Sequence, residues 1–306
     1  MTDQPKPPPP SKALVFARRT GSTLVLWALV SWIFCSRNSL GFLGFIGILM
    51  LIATVEYFRM LQTSGIKCFP RFGILLAAAY CGALHAPYLS GHQPLPYLDG
   101  LAVFIAIVGS FTLQLRYPIL GRESLLAVAA NVLGFIYIPL LFNFATRLVF
   151  LLPDAGVADG KVGVQGAFLL LWLLAVTKFT DMGAYITGSM IGRHKMIPHV
   201  SPGKTWEGFG GALVFSQLAG CGLYALFPEQ LAIFGNWSHV VILSFLLSIL
   251  AVIGDLAESI IKRALDAKDS GQMLPGIGGS LDLIDSVCFT APALFFYLKW
   301  FLLSHA

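Results

Sequence analysis

Six carboxylates fall within the 31 residues from Asp255 to Asp285: Asp255, Glu258, Asp266, Asp269, Asp282 and Asp285, beside Lys262, Arg263 and Lys268. They are six of the 15 acidic residues in a 306-residue chain that is 57% hydrophobic and 11% charged. One apolar run leads into the stretch (240–253) and another leaves it (287–303), which puts the acids at or near a membrane face. Ionisable side chains are expensive there and mark function by default. Read as a helix continuing from the first run, Asp255, Glu258, Ser259 and Lys262 share one face, because residues three, four and seven apart stack. Asp282 and Asp285 are three apart and follow Gly278 and Gly279, where a second helix can begin. The intervening Pro275, Gly276, Gly278 and Gly279 make a turn-rich connection that can bring backbone close to a ligand. Carboxylates on two facing helix ends suit a hard cation such as Mg²⁺, which takes one or two carboxylates, water and substrate phosphates. The adjacent Lys and Arg suit phosphate oxygens. The plainer reading, charges that only mark a helix end, calls for one or two Lys or Arg rather than six acids.

A second constellation reads TKFTDMGAYITGSMIG at the end of an apolar run, then RHKMIPHVSPGKTWEGFGG as a loop. Asp181 lies one turn after Lys178 and one turn before Tyr185. The loop offers Arg193, His194, Lys195, Ser201, Lys204 and Thr205, with Glu207 and Gly208 opening the next run. Basic side chains, hydroxyls and N–H groups at a helix start make an anion site. SPGKT shares its ending with a phosphate-binding P-loop but lacks the first Gly and a preceding strand, so that reading fails.

The first stretch resembles the C-terminal motif of the phosphatidate cytidylyltransferases (CDP-diacylglycerol synthases), S-x-x-K-R-x4-K-D-x-small-x2-apolar-P-x-H-G-G-apolar-x-D-R-x-D. The match runs without a gap through Ser259, Lys262, Arg263, Lys268, Asp269, Gly271, Leu274, Pro275, Gly278, Gly279, Asp282 and Asp285. Three positions depart: Ile277 for His, Ser280 for an apolar residue and Leu283 for Arg. The second constellation resembles the family's S-P-x-K-T-x-E-G segment in Ser201, Pro202, Lys204, Thr205, Glu207 and Gly208, and its D-x-x-A-Y element in Asp181, Ala184 and Tyr185. The resemblance covers residues from about 177 to 290. It implies transfer of CMP from CTP to phosphatidic acid, giving CDP-diacylglycerol and pyrophosphate, with Mg²⁺ and room for a second cation. With the chemistry above, it implies Asp255 and Asp282 as leading metal ligands and Asp285, Asp269 and Asp181 as secondary candidates. It gives Lys262, Arg263, Lys268 and Lys204 to phosphates, Ser201 and Thr205 to the anion loop, and Ser259, Gly278 and Gly279 to substrate binding. Asp255, Asp282, Lys262 and Asp269 form the implied catalytic set. Two alternatives stand beside it: a CTP-dependent lipid kinase of the polyprenol type, which would release CDP, and a transporter, which would place its acids near the bilayer midplane.

The elements that must position these residues are membrane helices. Mean hydropathy is +0.78, and soluble domains carry about 25% charged residues, so the fold class is all-α, polytopic and integral to the membrane. Apolar runs at about span length predict nine helices over 21–35, 40–58, 73–89, 98–115, 125–152, 166–190, 206–228, 239–261 and 282–303. The predicted organisation is a disordered, basic, Pro-rich tail (1–20), an N-terminal transmembrane region (21–152) and a C-terminal catalytic one (166–306). Of the 20 Lys and Arg, 15 fall in the tail and the loops after the even-numbered spans. This predicts a cytoplasmic N-terminus and a site on the cytoplasmic face of the cell's inner membrane. A pI near 9.0 therefore points to topology and membrane lipids as partners and not to nucleic acid; a homodimer is left open. The five cysteines show no disulfide or zinc spacing. Glu56 is read as a partner of Arg59, with a link to the catalytic half as the alternative. His194 and His199 are read as solvated, His85 and His92 as having no metal-ligand spacing, and Asn131 and Asn143 as interhelical hydrogen-bonders.

Overall fold

The computed structural model describes residues 25, 28–152, 160–267, 270, 271 and 278–303. Its described residues are helical almost throughout. After α1 (28–36) come α2 (Ser39–Thr63), α3 (Pro70–Leu89), α4 (Leu98–Gln114), α5 (Arg122–Val149), α6 (Val164–Ile191), α7 (Trp206–Leu226), α8 (Trp237–Ala264) and α9 (Ser280–Leu302). Seven of these, all but α1 and α4, are long and apolar enough to cross a membrane. The 17 residues of α4 reach only about 26 Å at 1.5 Å per residue. The protein is therefore an all-α, multi-pass membrane protein. Eight of the nine expected spans coincide with these helices to within a few residues. The ninth, 21–35, lies partly outside the described residues, as do the tail over 1–20, Lys268, Asp269 and Ile277.

The helices outrun the apolar stretches because their polar ends find partners. α8 continues to Ala264 so that Lys262 and Arg263 occupy its last turn, where cations oppose the helix dipole favourably. Within α5, the hydrogen bonding widens to a π turn over Ile136–Leu140. Pro139 lies in that turn and has no N–H to donate, so a regular ladder cannot pass through it.

One expectation is corrected. Residues 193–205 are not an open loop: β1 (Lys195–Ile197) and β2 (Ser201–Thr205) form an antiparallel hairpin with a bulge, pairing Lys195 with Thr205 and Ile197 with Ser201. α6 and α7 pack closely along their length, with the Trp172 Nε1–H donating to the Gly220 carbonyl at 3.0 Å. The segment joining them must fold back on itself, and its backbone groups pair with each other. Met196, Ile197 and Val200 of the hairpin rest on Ala212, Val252 and Leu256, which fixes the hairpin over the ends of α7 and α8.

The main core runs through α2, α3, α5, α6, α8 and α9. The polar groups inside it are interhelical brackets, as read from the sequence for the two asparagines. Asn131 accepts from the Phe69 N–H at 3.1 Å, and Asn143 Oδ1 lies 2.9 Å from His85 Nε2. At the end of the bundle away from the hairpin, Arg147 of α5 pairs with Asp99 of α4 at 2.6 Å. The Tyr80 hydroxyl of α3 donates to the same Asp99 oxygen at 2.8 Å. All five cysteines are free.

Candidate active site

Helices α8 and α9 meet at Gly254. A Cβ there would lie 2.9 Å from both the Asp285 carbonyl oxygen and Ser286 Cα, so only glycine permits this approach. The Ser286 hydroxyl donates to the Ala251 carbonyl at 3.1 Å and locks the crossing. The consequence is chemical. The helical face bearing Asp255 and Glu258 is pressed onto the first turns of α9, and oxygens of Asp255, Glu258 and Asp285 come within 4.8 Å of one another. Glu258 is 2% exposed and Asp285 5%.

Three lysines surround the acids. Lys204, the fourth residue of β2, reaches down to Asp255 at 2.9 Å and donates to the Val252 carbonyl at 3.1 Å. Lys262 bridges Glu258 one turn back (2.7 Å) and Asp282 across the helix junction (2.9 Å). Lys178 lies 3.5 Å from Asp181 on α6. Asp282 is not among the three clustered acids. One of its carboxylate oxygens meets Lys262 and the other accepts the Gly279 N–H at 3.1 Å, which caps α9.

The described residues fit a hard cation. Three carboxylates converge, two of them almost fully buried, and Glu258 Oε1 has no hydrogen-bond partner among the described residues. A buried, unsatisfied carboxylate oxygen is costly unless something positive meets it. Asp255, Glu258 and Asp285 are the side chains that would hold such an ion. The hydroxyl of Tyr137, carried by the π turn of α5, is also buried without a partner among the described residues.

An open cavity of about 370 Å³ adjoins the acids. Asp181, Lys204 and Asp255 line it, with Ser201, Thr205 and Tyr185. Its size falls in the range of about 300–1,000 Å³ typical of small-ligand sites. Thr205 caps α7 by accepting the Gly208 N–H at 3.1 Å. Glu207 closes the hairpin base by accepting the N–H groups of Arg193 (3.1 Å) and His194 (3.2 Å). The His194 ring is held on the same carboxylate at 2.6 Å. Arg263 Nε donates to the Val200 carbonyl at 3.4 Å and ties α8 to the hairpin. Ser259 is half-buried on α8. Gly278 has φ +117°, a conformation that glycine alone adopts without strain.

The acids are sunk into the bundle, yet all lie in the half of each helix nearer the hairpin. Asp285 is five residues past the start of α9, Asp255 nine before the end of α8 and Asp181 ten before the end of α6. At 1.5 Å per residue these depths are about 8 to 15 Å.

The sequence named Asp255, Asp285, Asp181, Lys204 and Lys262, and the structure brings them together. Helical spacing also put Glu258 on the Asp255 face, which was the available signal for its place in the acid group. Nothing in the sequence signalled Tyr137. Glu56 reaches across to α9: it is 1% exposed and accepts the Leu281 N–H at 3.1 Å.

Residues 17–301 match the model of the cytidylyltransferase family. The chain is 34% identical to a phosphatidate cytidylyltransferase of Staphylococcus haemolyticus over 80% of its own length and 85% of the relative's. It is 31% identical to a phosphatidate cytidylyltransferase of Bacillus subtilis over 66% and 71%. It is also 33% identical to YnbB, an uncharacterized protein of Escherichia coli, over 76% and 78%. Matched across nearly its whole length, this chain belongs to the cytidylyltransferase family.

Proposed function

We propose that the protein is a phosphatidate cytidylyltransferase, transferring CMP from CTP to phosphatidic acid and releasing pyrophosphate. The observation that carries this reading is the Lys204–Asp255 ion pair. It joins the hairpin segment to the acidic segment, so two motifs about 50 residues apart form one cavity wall. Relatives bearing that activity's name cover most of the chain.

The reaction forms a bond between a lipid phosphate oxygen and the α-phosphorus of CTP, while the α–β anhydride bond breaks. Both reactants are anions, so the barrier is largely electrostatic. The lipid phosphate is already ionised near neutral pH, so no protein nucleophile is needed. Lys204 and Lys262 supply positive charge on either side of the acid group, each restrained by a carboxylate and therefore aimed. The hairpin and the N-terminal turn of α7 shape the wall along which phosphates lie. Mg²⁺ held by Asp255, Glu258 and Asp285 would neutralise phosphate charge and align the reacting oxygens. The depth of the site suits a substrate whose acyl chains remain in the bilayer. The distribution of Lys and Arg supports a cytoplasmic N-terminus, a site on the cytoplasmic face of the inner membrane, and access to CTP from that side.

The test is purified protein with Mg²⁺, phosphatidic acid and CTP labelled either at the α- or at the γ-phosphate. The reading expects α-label in the lipid and γ-label in pyrophosphate. γ-Label in the lipid with release of CDP would identify a lipid kinase instead, and absence of turnover would overturn the enzyme reading.

A further inference from the structure

α9 begins with glycine at its N-cap, a residue with no side chain to accept the N–H groups of the first turn. Those groups have no intrahelical acceptor. Asp282 covers one, the N–H of Gly279. The N–H of Leu281 is covered from another helix: Glu56 of α2 accepts it at 3.1 Å. Two further bonds tie α2 to the same junction. The Ser280 hydroxyl donates to the Leu49 carbonyl at 3.0 Å, and the Ser64 hydroxyl donates to the carbonyl of Leu265, just past the end of α8.

The Glu56 carboxylate also explains a small residue of the acidic stretch. A Cβ on Gly271 would lie 2.6 Å from Glu56 Cδ, whereas one on Gly279 would run first into Ser270 Oγ and only then approach the Gly271 N at 3.0 Å and Glu56 Oε2 at 3.1 Å. The carboxylate occupies the space that a side chain at 271 would need. Glycine at the N-cap and an acid on α2 are thus two halves of one device: the cap of α9 is supplied in trans.

We propose that Glu56 is a positioning residue of the reaction centre, acting through the first turn of α9. This rests on the reading that Asp285 and its neighbours form that centre. Asp282 and Asp285 stand one and four residues after the N–H that Glu56 holds. A first turn that frays or rotates would move Asp285 away from Asp255 and Glu258 and loosen the Asp282–Lys262 pair. Glu56 is neither one of the clustered acids nor a residue of the cavity lining. Its effect should therefore fall on turnover more than on CTP binding.

The experiment compares wild type with Glu56→Gln, Glu56→Ala and Gly271→Ala in detergent, by hydrogen–deuterium exchange over 278–286 and by kcat and KM for CTP. Loss of a hydrogen bond to a charged group is expected to lower kcat by roughly tenfold to hundredfold in Glu56→Ala. KM for CTP should change much less, and exchange over 278–286 should rise while that of α6 and α7 stays constant. Glu56→Gln keeps a carbonyl acceptor and nearly the same shape, so it should retain the protection and lose activity by only about threefold. Gly271→Ala puts a Cβ where the carboxylate lies, displaces it from the other side, and should reproduce Glu56→Ala. Unchanged exchange over 278–286 in either Glu56→Ala or Gly271→Ala would overturn the proposal. So would equal losses in Glu56→Ala and Glu56→Gln, or a loss confined to KM. The exchange measurement decides the capping role even if the wild type shows no cytidylyl transfer, a result that would count against the activity reading alone.

Discussion

The bundle holds charge at both ends, and the two clusters are built differently. At the end away from the hairpin, one aspartate meets one arginine and one tyrosine hydroxyl: Asp99, Arg147 and Tyr80 knit α3, α4 and α5. The arginine lies over the Phe144 ring at 5.7 Å. Charge there is balanced, one carboxylate to one guanidinium, and the one buried atom of the three without a partner among the described residues is the Arg147 Nε–H donor. At the hairpin end, five carboxylates (Asp181, Asp255, Glu258, Asp282 and Asp285) face three ammonium groups (Lys178, Lys204 and Lys262), and a buried glutamate oxygen has no partner among the described residues. A balanced pair needs nothing more to explain it than the joining of helices. An excess of buried negative charge needs a counter-ion. The difference separates a structural bracket from a candidate site, although both read as charged residues in apolar runs.

The strongest way to break the comparison is to neutralise the excess. Asp255→Asn and Asp285→Asn are each expected to lower cytidylyl transfer by roughly 10²- to 10³-fold, the scale of removing one preorganised electrostatic group. Both should still insert into the membrane, because amide and acid are nearly the same shape. Near-normal turnover in both across a Mg²⁺ titration would sink the assignment.

Removing a counter-charge should act on stability as well. Lys262→Met leaves Glu258 and Asp282 without their shared cation, and breaking one side of a buried pair costs about 3 kcal/mol. The expected result is a lower melting temperature, partly restored by added Mg²⁺, together with loss of activity. A melting temperature insensitive to the substitution would mean that the lysine is not holding the junction.

These residues also show what was legible beforehand. The 3.6-residue period put Asp255, Glu258 and Lys262 on one face, and the Gly278–Gly279 pair marked the start of the helix bearing Asp282 and Asp285. The spans were legible because apolar run length is a strong signal. The separate duties of Asp282 and Asp285 were not, because they depend on how α9 is rotated against α8, which the contact at Gly254 decides. The hairpin was hidden because Ser, Pro and Gly are poor strand formers; its pairing comes from the tight packing of α6 on α7. Glu56 was hidden because local spacing offered Arg59 as a partner, while its observed bond is to a backbone group 225 residues away.

The balanced cluster should respond in the opposite way. Arg147→Met is expected to destabilise the fold by about 1–3 kcal/mol, less than full burial would imply because Asp99 is partly open to solvent. Turnover per folded molecule should stay within about twofold. Retained stability with lost catalysis would place this cluster in the reaction and erase the distinction.

The smallest effect is expected at a departure from the family pattern. Leu283 is half-buried and packs against the main core, while Lys204 and Lys262 already bring positive charge to the acids. Leu283→Arg should therefore change turnover by no more than about twofold, the range of a substitution outside the named mechanisms of large effect. A gain of tenfold or more would show that an arginine contact is missing from the wild type.

The central claim is that the unbalanced cluster holds a divalent cation and the balanced one does not. Mn²⁺ is the direct probe, titrated into purified protein without substrate and followed by electron paramagnetic resonance. Saturable binding that Mg²⁺ displaces is expected in the wild type and in Asp99→Asn, and is expected to be lost in Glu258→Gln and Asp285→Asn. Undiminished binding in Glu258→Gln and Asp285→Asn, or its loss in Asp99→Asn, would contradict the account.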